Sequence, residues 1–379
     1  RSASSERRLR GSSGRRPHSA SAPRVKTTTV GVGDGGAIEP CLRTRPRIGS
    51  DPRGAALEER SVAVERGHWA IIQVGRRASP SRRRPAMKIA SVRSAFPPHY
   101  SRQEELLEAF RAVWSGRLHN PERLARMHRN VQVGGRFLAL PLEEYDRLGS
   151  WGEANDAWVG VATEVGAQAV ERAVAAAGRR LDEIDALYTV SVTGIATPSI
   201  DARIMNRLSL PESLVRVPIF GLGCVAGAAG VARVADYLRA WPERVAVLLS
   251  VELCSLTLQR ADLSIANLIA SGLFGDGAAA LVAVGGDRSA DGPRVVDAAS
   301  VFYPETEAVM GWEVTDGGFR VVLSAEVPEM VRCHLRDDVD RFLGRHGMRR
   351  ADIGSWVAHT GGPRVLEAME EVLELPEGA

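Results

Sequence analysis

From Met87 onward the apolar positions switch between a spacing of three to four and short alternating or continuous runs, the pattern of helices and strands in succession. Residues 156–178, DAWVGVATEVGAQAVERAVAAAG, predict an amphipathic helix, and IDALYTVSVTG after it predicts a strand. Ser199 in TPSIDARIMNRLSL stands where an N-cap would open another helix. The series continues with the strand VRVPIF, a helix after Cys224, the strand RVAVLLSVEL, the helix SIANLIASGLF and the strand GAAALVAVG. A second series starts at RVVDAASVFY, passes through the helix VPEMVRCHLRDDVDRFLGRHG, reaches a strand at IGSWVAH and stops one helix later. The alternation predicts an α/β protein with a layered αβαβα architecture, one half spanning 87–293 and an incomplete second half spanning 294–379.

Residues 1–86 break this pattern. RSASSERRLRGSSGRRPHSASAPR and RRASPSRRRPA show little periodicity and predict a disordered Arg/Ser-rich leader, too poor in apolar residues to offset the entropy of ordering. The leader holds 18 Arg and one Lys against seven acids, a charge of +12, which leaves −9 for the remainder of a chain with net charge +3. The basic balance that would suggest nucleic acid therefore belongs to the leader, and no nucleic-acid partner is expected. An Arg-rich arm, a targeting segment and translated sequence upstream of Met87 compete for this stretch. The last is favoured, because MKIASVRSAF reads as a first strand and the acids of LEERSVAVERG fit a transit peptide poorly.

The longest apolar runs fall short of the roughly 18–20 residues that span a bilayer, so no membrane span is expected. Cysteines at 41, 224, 254 and 333 lack the pairing and density of a disulfide scaffold, which points to a reducing cytoplasm. There is no cluster of metal ligands and no dinucleotide fingerprint, so no cofactor is expected.

Candidate chemistry centres on Cys224 in PIFGLGCVAGAAGVARVADYL. Small residues around it suit close backbone packing, and a helix N-terminus would favour the thiolate. On this stretch alone a buried structural cysteine is the favoured reading. His359 ends an apolar run and precedes Gly361, Gly362 and Pro363, a turn able to present an imidazole at a pocket floor, although strand-end histidines are common.

Taken in order, GLGCVAGAAG, LFGDGAAA and HTGGPRVLEA resemble the type III polyketide synthases, the chalcone and stilbene synthase family of the thiolase fold. The resemblance runs from about Met87 to the end of the chain, and TGIATPSIDAR, VELCSLTLQ and FYPETEAVMGW are similar to its bacterial branch. It implies a homodimeric acyltransferase in which the Cys224 thiolate attacks an acyl-CoA and His359 holds the ion pair. Malonyl-CoA then loses CO2, and its enolate, stabilised by His359 and an Asn, attacks the acyl thioester. On the same resemblance Phe274 is a gatekeeper, Val321 stands at a second gatekeeper position, and Cys254 and Thr257 line the pocket. Thr197 crosses into the partner's pocket, and Arg126, Arg129 and Arg136 meet the CoA phosphates. Asp276, between Gly275 and Gly277, reads as structural, bonding to backbone N–H groups.

Short side chains at Thr197, Cys254 and Val321 suggest a roomy apolar tunnel for a long fatty-acyl starter and an alkylpyrone or alkylresorcinol product; aromatic starters or malonyl-CoA alone stay open. Two departures stand out. Thr360 replaces the proline of the family's HPGGP, and the Asn expected a few dozen residues past His359 falls beyond Ala379. The chain therefore also reads as a truncated product, with a non-catalytic acyl-CoA-binding homologue and a carrier-protein-dependent ketoacyl synthase as alternatives.

Overall fold

The computed structural model describes residues 68–75, 87–118 and 120–375; the rest of the expected leader lies outside them. Strands β1 (His68–Gly75), β2 (Lys88–Ala95) and β3 (His99–Arg102) lead into helices α1 (Gln103–Val113) and α2 (Pro121–Asn130). Then follow β4 (Gly135–Leu138), α3 (Trp151–Ala176), β5 (Ala186–Val190), α4 (Ile200–Leu208), β6 (Val215–Ile219), α5 (Ala226–Ala240), β7 (Val245–Leu253), α6 (Ile265–Leu273) and β8 (Asp276–Val284). The last elements are β9 (Arg294–Phe302), the hairpin β10 (Met310–Thr315) and β11 (Gly318–Leu323), α7 (Val327–Gly344) and α8 (Pro363–Leu373).

Every residue of β5, ALYTV, is buried, which requires a strand on either side and cover on both faces. A seven-stranded sheet in the order β1-β9-β2-β8-β7-β5-β6 supplies the neighbours, with β5 parallel to β6 and β7 and the remaining pairs antiparallel. Successive side chains of a strand face opposite ways. Leu187 and Leu249 accordingly join Trp158 and Val165 of α3 in one apolar layer, while Tyr188 and Leu248 join Val234 and Leu238 of α5 in the other. The Ala- and Gly-rich composition of α5 has a direct cause. A Cβ on Gly230 would lie 2.5 Å from Leu248 Cδ1, so only glycine lets this helix sit so low on the sheet.

The predicted helix at 156–178 starts earlier, at Trp151, because Ser150 and Glu153 form a capping box at its N-terminus. Ser199 does precede α4, but its hydroxyl bonds Asp201 instead of the helix backbone. Inside the expected disordered leader, HWAIIQVG forms β1, which pairs along an edge of β9 that would otherwise stand open. RVVDAASVFY, expected to open a second half, lies in this same sheet as β9. The strand expected at IGSWVAH is absent: no strand among the described residues lies beside it, and an unpaired segment cannot satisfy its backbone in extended form. Helices α7 and α8 close this end around Phe342, Leu343, Val365 and Met369. No helix among the described residues is long and apolar enough to cross a membrane.

Candidate active site

Gly221 and Gly223, both at positive φ (91° and 55°), turn the chain after β6 into a short 3-10 turn, Gly223–Val225, that runs directly into α5. Cys224 sits on this turn, exposed, at the helix N-terminus. Its thiol is nevertheless held above its ordinary value, first by the protein packed around the sulfur and then by the nearby Glu252 carboxylate, with a backbone N–H pulling the other way. These causes run against the low pKa expected of this thiol.

Glu252 went unnoticed in the sequence, although an acid inside the apolar run RVAVLLSVEL was the available signal. It is half-buried on β7, where it accepts from the Val192 N–H at 3.1 Å, the Thr193 hydroxyl at 2.8 Å and the Ser191 hydroxyl at 3.3 Å. Burial outweighs these bonds and pushes its carboxyl up to about 7.

His359 lies in the irregular segment before α8 and is exposed. Among the described residues no hydrogen bond or ion pair joins it to Cys224, and burial alone lowers its imidazole below the ordinary value. Thr197, on the exposed loop before α4 and joined to Pro198 by a cis peptide, also stands apart from the pocket residues.

Five other expected site residues do converge. Cys254, Thr257, Phe274, Val321 and Arg136 line one cavity of about 650 Å³, together with Leu106, Phe110 and Val113 of α1. The Thr257 hydroxyl donates to the Cys254 carbonyl at 2.8 Å. The Cys254 thiol is held well above its ordinary value, first by desolvation and then by the charges of Glu252 and Asp276. Phe274 meets the edge of Trp312 at 6.3 Å. Trp312 is also the cross-strand partner of Val321 and lines the same cavity, so an indole returns volume that valine leaves empty.

Asp276 is structural as expected. It accepts from the Ala139 N–H at 2.6 Å and the Ser255 N–H at 2.8 Å, and from the Ser255 hydroxyl, which also bonds Tyr145 at 2.6 Å. Burial raises its carboxyl to about 6. Of the three expected CoA-binding arginines, Arg126 and Arg129 are exposed on α2, with Arg123 exposed one turn earlier. Arg136 differs from these: it is only 7% exposed, it lines the same cavity, and its terminal N–H groups donate to carbonyls at the end of α6 and to Gln103. Its four terminal N–H groups are thereby engaged, as the retention of a buried cation requires, while its Nε lies buried without a hydrogen-bond partner.

The profile of chalcone and stilbene synthases, N-terminal domain, matches residues 74–288, and that of the C-terminal domain matches 294–378. The 1,3,6,8-tetrahydroxynaphthalene synthase of Streptomyces peucetius subsp. caesius is 48% identical over 294 residues, covering 77% of this chain and 78% of that protein. The 3,5-dihydroxyphenylacetyl-CoA synthase of Streptomyces toyocaensis is 31% identical, covering 79% and 77%. Among solved structures, the 1,3,6,8-tetrahydroxynaphthalene synthase of Streptomyces coelicolor A3(2), a bacterial type III polyketide synthase, superposes with a TM-score of 0.72 at 30% identity, covering 76% of this chain and 82% of that one. A polyketide synthase from the brown alga Ectocarpus siliculosus gives the same TM-score, 0.72, at 26% identity, covering 79% and 83%.

Proposed function

Because the chain belongs to the chalcone and stilbene synthase family, the type III polyketide synthases, we propose that it condenses an acyl-CoA starter with malonyl-CoA by decarboxylative Claisen condensation. The observation that carries this reading is the convergence of Cys254, Thr257, Phe274 and Val321 on one cavity. Cys224 is the nucleophile. Its sulfur bonds the acyl carbon while the CoA thiol leaves with a proton, which His359, brought beside the sulfur, would shuttle. Such a pairing offsets both perturbations seen here, since imidazolium favours thiolate and thiolate favours imidazolium. Malonyl-CoA then loses CO2, the enolate carbon attacks the acyl carbonyl, and the Cys224 thiolate departs. Arg126 and Arg129 supply cations for the CoA phosphates, and Thr197 reaches a partner subunit in a homodimer.

For the starter we favour a long fatty acyl chain, because Leu106, Ala109, Phe110 and Val113 of α1 give the cavity apolar lining. An alkylpyrone or alkylresorcinol would follow. The 48% identical relative favours a second reading, malonyl-CoA alone, since the product in its name is a hydroxylated bicyclic aromatic without an alkyl tail. Carbon-13-labelled malonyl-CoA, supplied with and without unlabelled long-chain acyl-CoA, separates the two by product mass. An unlabelled tail supports the first, and a fully labelled product formed without starter supports the second. Failure of folded protein to acylate Cys224 or to consume malonyl-CoA would refute both.

A further inference from the structure

We propose that Arg136 is the positioning residue for Phe274, holding the backbone from which that ring enters the cavity. The proposal rests on reading Phe274 as a gate for the extender unit. The last carbonyls of a helix have no intrahelical donor, and a cation at that end is favoured by the aligned peptide dipoles. At the end of α6 the donor is Arg136, reaching across from β4. Its Nη1 donates to the carbonyls of Ser271 at 2.6 Å and Phe274 at 2.7 Å, and its Nη2 to the Gly272 carbonyl and to Gln103 Oε1, both at 2.5 Å. Gln103 in turn donates from Nε2 to the same Gly272 carbonyl at 3.0 Å. All four terminal N–H groups of the guanidinium are thereby used.

Phe274 is the residue this arrangement constrains. It caps α6 at φ −81° and ψ 143°, with its N–H bonded to the Ala270 carbonyl and its own carbonyl held by Arg136. Both peptide groups flanking its Cα are therefore fixed, and the ring is directed toward Trp312. The fit is close: a Cβ on Gly275 would stand 3.3 Å from Arg136 Cβ. Lysine cannot substitute, because an ammonium offers three N–H bonds in a tetrahedral array where four acceptors lie in a planar fan.

The test uses the full chain carrying 4-fluorophenylalanine at position 274, read by fluorine NMR, in wild type, Arg136→Lys and Gln103→Met. One resonance is expected in wild type, with a shifted or split resonance in Arg136→Lys and a smaller displacement in the same direction in Gln103→Met. A merely structural arginine would lower stability and leave the signal of folded protein where it was. An unmoved resonance in folded Arg136→Lys overturns the proposal, and if that variant does not fold, an unmoved resonance in Gln103→Met does so. In turnover, Arg136→Lys should raise KM for malonyl-CoA on the order of tenfold, as loss of a charge-assisted hydrogen bond implies, with Cys224 acylation unchanged. If the resonance moves while Phe274→Ala handles malonyl-CoA like wild type, the gate reading fails and the positioning by Arg136 stands.

Discussion

Glu252→Gln tests the electrostatic account of the Cys224 site. The Glu252 carboxyl keeps its proton up to about pH 7 in the folded protein, against an ordinary value of 4.5. Between those values the folded state binds a proton that the unfolded chain has released, so this group's contribution makes stability fall as pH rises, and the loss persists above pH 7. A shift from 4.5 to about 7 corresponds to about 3 kcal/mol. Glutamine has the same shape and does not titrate. Its altered bonds to Val192 and Thr193 add an offset that does not vary with pH, and groups shared by both proteins cancel. Urea unfolding followed by tryptophan fluorescence at several pH values should show the variant gaining on wild type by about 3 kcal/mol between pH 4.5 and 7. A gap that stays constant across that interval would refute the reasoning.

Three further outcomes are expected. Alkylation of Cys224 by iodoacetamide should speed up through the neutral range without levelling off, and more steeply at lower pH in Glu252→Gln, where the opposing charge is gone; a plateau already below neutrality in wild type would contradict the raised thiol. Ala109→Phe, placed in the apolar wall, should penalise long acyl-CoA starters by about fourfold per displaced methylene, from ~0.8 kcal/mol each, while short starters are unaffected. Equal losses across chain lengths, measured as kcat/KM, would remove the acyl chain from this cavity. Gly194→Ala would place a Cβ 2.0 Å from Trp158 Cδ2, and denaturant melts should show about 1–3 kcal/mol of destabilisation from overpacking.

What the sequence revealed depended on how locally each feature was encoded. The helices around 156–178 and after Cys224, and the strands RVAVLLSVEL and GAAALVAVG, carry their own periodicity and appear as α3, α5, β7 and β8. Asp276 was readable as structural because its flanking glycines mark a turn. Arg136 was not: in isolation an arginine near a basic helix looks like a phosphate ligand, and only the return of α6 to β4, more than 130 residues later in sequence, supplies the carbonyls that consume it. The strand expected before His359 did not form for a related reason, since IGSWVAH has strand composition but no strand beside it among the described residues with which to pair.

The pocket-volume argument shows the same dependence on long-range pairing. Counting side chains one position at a time, Val321 leaves space and the tunnel widens. In the β10–β11 hairpin, however, Val321 faces Trp312, and that indole also meets Phe274. Volume in a closed site is shared by all residues that face it, so a small residue opposite a large one need not enlarge the cavity. Room for an acyl chain is therefore better sought along Leu106, Ala109 and Val113, the apolar residues that α1 adds to the lining. That direction makes Ala109 a sharper probe of starter length than Val321: filling the α1 wall should shorten the accepted chain, whereas enlarging Val321 should first displace Trp312.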